Sequence, residues 1–225
     1  AWSWGGGGGG GGAQVEVKQL VYLLTIYGQS LYTTTNEMTL YKDGQKKFDA
    51  LLKDIEGATD HIHMQYYIYR SDTLGGEVRD ALIRAAKRGV KVRVLLDAWG
   101  STQVSLKFFD ELRVHGGQVA FFFPLFVPYL NPRINYRNHR KIVVIDGKIG
   151  YTGGFNVGNE YLGEVEKFGY WRDNHLRILG PAVYSLQNRF LMDWNSQHAI
   201  EIKYEAALFP MIETNGTIAA PPPPP

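Results

Sequence analysis

The sequence lacks cysteine altogether, which excludes a disulfide framework, a thiolate metal site and a cysteine nucleophile. It also lacks any apolar run of about 18 residues, so nothing in it reads as a membrane-spanning helix. The longest apolar stretch, Val119–Leu130, is short and interrupted by Pro124 and Pro128. No basic segment followed by an apolar run and a cleavage site stands at the N-terminus, so a signal peptide is not expected. Net charge is small: 24 basic against 22 acidic residues give +2, with pI near 8.6. A dedicated nucleic-acid binder draws its affinity from neutralising phosphates and usually carries a more basic balance, so no nucleic-acid partner is expected.

What is present is enough for a globular domain. Hydrophobic residues make up 44 % and aromatics 13 %, which excludes a disordered or collagen-like chain. Glycine and proline are inflated by two terminal runs, Gly5–Gly12 and Pro221–Pro225. Residues 1–14 read as a low-complexity, tag-like segment, 15–37 as an apolar arm, 38–198 as the ordered domain and 199–225 as a tail with a proline run.

Within 38–198 helical and strand periods alternate. Phe48, Leu51, Leu52 and Ile55 predict an amphipathic helix over Gln45–Ala58, and His61–Tyr69 alternates as a strand. A helix over Gly75–Arg88, capped by Gly89, precedes the strand Val90–Asp97, whose apolar half predicts burial on both faces. Leu106–His115 reads as a helix and Gln118–Phe123 as a strand. Lys141–Ile145, Asp146-Gly147 and Lys148–Thr152 form a hairpin signal; Trp171–Leu179 reads as a strand, and a last helix begins at Gly180-Pro181. The fold class is α/β, a mixed sheet flanked by helices.

The chemistry concentrates in Asn138–Asn156, NHRKIVVIDGKIGYTGGFN. His139, Lys141 and Asp146 follow an H-x-K-x4-D spacing, and Gly153, Gly154 and Asn156 close the stretch. On an extended strand His139 and Lys141 face the same way about 7 Å apart, close enough to hold one phosphate between them. An imidazole nitrogen can attack phosphorus and form a phosphohistidine, splitting one hard step into two. Lys141 can neutralise the non-bridging oxygens and Asn156 can add an amide donor. A general acid must still protonate the departing alkoxide, and the sequence holds no second copy of the motif for that step.

H-x-K-x4-D followed by G-G-x-N resembles the signature of the phospholipase D superfamily. The stretches HIHMQYYIY, VKVRVLLDAWGS and FGYWRDNHLRILGPAVYSLQNRFLMDW resemble bacterial cardiolipin synthases in particular, over about residues 38–198. The resemblance implies a phospholipase D-like sheet in which two motifs meet. One histidine is then the nucleophile and the other the general acid, with paired lysines and asparagines on the phosphate. It implies His139 as nucleophile or its partner, Lys141 and Asn156 as phosphate ligands and Asp146 as a supporting catalytic residue. The reaction implied is metal-free and cofactor-free transfer of a phosphatidyl group between two phosphatidylglycerol molecules, at a bacterial cell membrane. The family's usual member has two N-terminal membrane helices and two halves; this chain resembles the first catalytic half. A second half or a homodimer would complete the site, or the chain is an incomplete half-domain that docks a partner or membrane. A single-motif homodimeric phosphodiesterase or nuclease is the other enzymatic reading.

Secondary candidates surround this site. Gly153 and Gly154 permit either a positive-φ turn or close backbone approach to phosphate. Arg133, Arg137 and Arg140 form a basic cluster that would attract an anionic head group. Phe126, Val127, Tyr129 and Leu130 read as a lipid-facing lip. Asp173 and His175 share a face if their segment is a strand, where Asp173 either orients His175 toward the pocket or forms a structural hydrogen-bonded pair with it. His61 and His63 read as core histidines. No cluster has metal-ligand spacing, so no metal is expected.

Overall fold

In the computed structural model the chain divides into residues 1–34 and 35–225. The structure describes residues 33, 35–122, 139–163, 171–197, 201–214 and 217–219, nearly all of them in the second unit. Most of the apolar arm, the lipid-facing lip Phe126, Val127, Tyr129 and Leu130, and Arg133 and Arg137 lie outside the described residues.

The elements run β1 (Glu37–Tyr41), α1 (Gly44–Glu56), β2 (His61–Tyr66), α2 (Thr73–Lys87), β3 (Lys91–Asp97), α3 (Asp110–Val114), β4 (Gln118–Phe122), β5 (Ile142–Ile145), β6 (Ile149–Gly153), β7 (His175–Leu179) and α4 (Ala182–Asn195). A small hairpin, β8 (Ile212–Thr214) and β9 (Thr217–Ala219), comes last. Seven strands form one mixed sheet in the order β1-β7-β6-β5-β2-β3-β4. β2, β3 and β4 run parallel, while β5, β6, β7 and β1 are each antiparallel to their neighbours.

Local chemistry sets the helix starts. Asp43 accepts a hydrogen bond from the Lys46 backbone N–H at 3.0 Å, and Asp72 does the same for Gly75 at 3.0 Å. Both helices then bury one stripe on the same sheet face, where Phe48, Leu51, Val78 and Leu82 meet Ile62, Met64 and Tyr66 of β2. The opposite face of β2 carries His61, His63 and Gln65, all buried beneath α4. Strand parity thus splits β2 into an apolar and a polar buried side.

Several expected boundaries shift for physical reasons. β2 ends at Tyr66 rather than Tyr69, because the Asn156 side-chain oxygen accepts the Ile68 N–H at 3.1 Å in place of a ladder partner. The helix expected over Leu106–His115 is a 3₁₀ turn, Leu106–Phe109, leading into the five-residue α3. The strand expected over Trp171–Leu179 is β7, which starts at His175 and leaves Trp171–Asn174 irregular. The domain also continues past 198: Ile202, Leu208, Phe209 and Ile212 pack with Leu95, Tyr184, Phe190 and Trp194, so much of the expected tail belongs to the core. Among the described residues no helix is long and apolar enough to cross a membrane.

Candidate active site

β5 lies against β2 with Gln65 opposite Ile142, so the residues just before β5 sit beside the end of β2. The C-terminal end of β6 and the N-terminal end of β7 meet at the same sheet end, with Gly153 opposite His175. His139, Lys141, Asn156, Asp173 and His175 are gathered here by topology.

The His139 ring is exposed and stacks on Tyr67, with centroids 4.0 Å apart and planes inclined by 18°. Lys141 is half-buried beside it; its Nζ donates to the His139 carbonyl at 2.9 Å and lies 5.8 Å from the Tyr67 ring centroid. Burial lowers the Lys141 pKa, while Asp173 pulls the other way. Asn156 is buried, accepts from Ile68 and donates to the Tyr161 hydroxyl at 3.0 Å. An accessible imidazole, an ammonium next to it and a fixed amide are what a phosphoryl-transfer site needs on one side of a phosphate.

Three expectations are corrected. Asp146 is not with His139: it stands at the opposite end of β5, roughly 23 Å along an extended chain at about 3.3 Å per residue. There its carboxylate accepts from Thr59 N (2.9 Å), Thr59 Oγ1 (2.9 Å), Asp60 N (2.8 Å) and His61 N (3.0 Å). It anchors the hairpin turn to the start of β2. Arg140 does not point into the pocket either; the alternation that puts His139 and Lys141 on one face sends it to the other, where Nη1 meets Asp193 of α4 at 3.2 Å. Finally, Asp173 does not pair with His175. It precedes the strand and accepts from the Asn174 N–H at 2.7 Å, while neither ring nitrogen of His175 has a hydrogen-bond partner.

His175 is 1 % exposed, and burial, followed by the nearby Lys47 and Lys141 charges, pushes its pKa down to about 2. It is therefore neutral in the folded domain. Lys47 is also fully buried; its Nζ donates to the Tyr66 hydroxyl at 2.8 Å and stands 3.6 Å from the Phe48 ring centroid. Desolvation holds its pKa well below the usual range. Sequence reading misses Tyr67, Tyr161 and Lys47; an aromatic next to a strand end or a lysine in a helix gives no sign of its tertiary partner. Among the described residues no group of His, Asp and Glu could hold a metal ion.

Gly153 is set by close approach. A methyl built on it overlaps the Asn174 carbonyl and the His175 backbone, whereas one on Gly76, inside α2, meets nothing. Gly153→Ala is expected to cost about 1–3 kcal/mol by overpacking, and Gly76→Ala to gain about 0.5–1 kcal/mol from helix propensity. Thermal melts of the two variants are expected to shift in opposite directions; a neutral Gly153→Ala would refute the placement.

A mixed sheet that offers an imidazole and a lysine from one strand lead-in, with G-G-x-N after the return strand, defines a phospholipase D-like domain. The chain belongs to the family described as cardiolipin synthase, PLD-like domain, whose profile matches residues 51–194. It is 51 % identical over 202 residues to the major cardiolipin synthase ClsA of Bacillus subtilis, covering 89 % of this chain and 42 % of that protein. It is 50 % identical over 205 residues to a cardiolipin synthase of Staphylococcus aureus, covering 91 % of this chain and 42 % of that one. The chain thus spans about two fifths of the length of these curated relatives. Among solved structures, NucT from Helicobacter pylori matches with a TM-score of 0.56 at 16 % identity, covering 72 % of this chain and 97 % of that one. Phosphatidylserine synthase from Haemophilus influenzae matches with a TM-score of 0.53 at 18 % identity, covering 71 % and 36 %. These likenesses establish the fold.

Proposed function

We propose that this domain is one catalytic half of an enzyme that transfers a phosphatidyl group between two phosphatidylglycerol molecules. The His139 imidazole attacks the phosphorus, the bond to one glycerol breaks, and that glycerol leaves carrying a proton from a general acid. The terminal hydroxyl of a second phosphatidylglycerol then attacks the phosphohistidine, giving its proton back to the group that served as acid, releasing the imidazole and forming cardiolipin. Lys141 neutralises the non-bridging oxygens, Asn156 supplies an amide donor and the backbone at Gly153 and Gly154 borders the phosphate. The second histidine comes from another motif, either in the remainder of a longer chain or in a second copy. The site works at a bacterial membrane surface with an anionic lipid as substrate and requires no cofactor.

The observation that carries this reading is the combination of an exposed His139 beside Lys141 and about 50 % identity to bacterial cardiolipin synthases across nearly the whole chain. A homodimeric nuclease would share the fold but has no comparable support in sequence, and the net charge of +2 argues against it.

The test incubates phosphatidylglycerol vesicles, without added metal, with the chain or with its His139→Ala variant, each alone and each mixed with the second half of a relative. Products are separated by thin-layer chromatography. Cardiolipin formed with the parent and lost with the variant is expected. Equal product from both, or none from any mixture, would overturn the proposal.

A further inference from the structure

Asp193 lies in the last turn of α4, 4 % exposed, on the far side of the sheet from the reacting groups. Among the described residues its carboxylate accepts from Arg140 Nη1 at 3.2 Å, Gln65 Nε2 at 2.8 Å and Arg189 Nη2 at 2.9 Å. Two of these lead to the two sides of the His139 ring. Arg140 is the covalent neighbour of His139, and Gln65 lies two residues before Tyr67, on which the ring stacks. One buried carboxylate therefore ties together the lead-in to β5 and the outgoing end of β2, the two segments whose separation sets the ring stack.

The Asp193 carboxylate is buried, while the Arg140 and Arg189 side chains that meet it are 43 % and 40 % exposed, so the loss of hydration falls mainly on the carboxylate. Well-packed apolar side chains commonly hold a helix as well as or better than a buried charge. What ions and directed hydrogen bonds add is a fixed geometry, since a guanidinium meets a carboxylate in few arrangements. Here that geometry reaches the exposed imidazole of the site through a short covalent path on either side.

We infer that Asp193 is a positioning residue: through Arg140 and Gln65 it sets the distance and tilt between Tyr67 and His139, and so the direction in which the His139 ring presents its nitrogen to phosphorus. This rests on His139 being the reacting group, but the geometric claim is tested without turnover.

The chain is labelled with ¹³C at histidine Cε1 and observed by NMR, the His139 signal being identified by its absence in His139→Ala. A ring stacked at 4.0 Å displaces that signal upfield. In Asp193→Asn and Arg140→Gln the displacement is expected to be lost, while the signals of His61 and His175 stay in place, and Arg140→Lys, which keeps a cation, is expected to restore part of it. If Asp193→Asn fails to fold, Arg140→Gln decides, because it leaves Gln65 and Arg189 on the carboxylate. An unchanged His139 signal in a folded Arg140→Gln, or a change shared equally by all buried histidines, overturns the inference. Failure of lipid transfer with an intact ring displacement would count against the proposed function and leave this inference standing.

Discussion

Asp146→Ala is expected to destabilise the domain by about 3–4 kcal/mol, toward the upper end of what a single polar substitution does. The side chain accepts four hydrogen bonds, three of them from consecutive backbone N–H groups at Thr59, Asp60 and His61. Burial of the carboxyl opposes its ionisation, but these donors outweigh that and hold its pKa below the usual value. The alanine would leave the donors short of partners and would also have to adopt Asp146's φ of +52°, where a β-carbon is strained. Asp146→Asn keeps an acceptor and tolerates that backbone, so about 1–2 kcal/mol is expected. For a domain of this size a loss of 3–4 kcal/mol lowers the melting temperature by roughly 10 °C. Calorimetry checks the ranking. A folded Asp146→Ala that melts with the parent would refute the anchoring role, and one that melts normally yet no longer forms phosphohistidine would return Asp146 to the catalytic group.

A fall from pH 7 to pH 5 is expected to remove several kcal/mol of stability, through histidines that are neutral in the fold. His175 is held at about 2 by burial and by Lys47 and Lys141. Its unfolded value is about 6.5, so below that pH the unfolded chain binds a proton that the folded chain refuses. Stability is full above about pH 6.5 and is lost progressively down toward pH 2, with a limiting slope of about 1.4 kcal/mol per pH unit and about 2 kcal/mol gone by pH 5. His63 acts in the same direction: burial comes first, then the His61 and Arg93 charges, against a weaker contribution from Gln187. His61 is also lowered by burial, partly offset by Asp60. Urea midpoints at several pH values for the parent and for His175→Leu provide the check. The variant's curve should be flatter by about one proton below pH 6.5. Parallel curves would mean that His175 is protonated, or solvated, in the folded state.

How legible each feature is in the sequence depends on where its determinants lie. The hairpin is legible because Asp146-Gly147 both take positive φ, a requirement carried by the dipeptide itself. His139 and Lys141 are legible because strand parity alone puts them on one face. Asp146 is misplaced for the complementary reason: motif spacing says nothing about which end of a strand is the site, and β5 carries the two ends of its motif apart. Arg140 looks like a pocket residue from its neighbours, yet parity sends it to α4, where its partner is 53 positions away. Asp173 reads as part of a strand that in fact starts two residues later, at His175. Tyr67, Lys47 and Asp193 gain their roles only from contacts across the sheet, which no local pattern encodes.

The order of strands also bears on how the domain is made. β1 is the first of these strands to be synthesised, but among the described strands its neighbour in the sheet is β7, with Leu40 opposite Leu176. At about 5–20 residues per second, the ribosome needs roughly 7–27 s to supply that partner. During this time Met38 and Leu40, still exposed in the finished fold, belong to an unpaired edge. The nascent chain can complete β2, β3 and β4 early, because they are parallel neighbours in sequence order. Closure by β1 has to wait until the reacting strand and its hairpin are already in place.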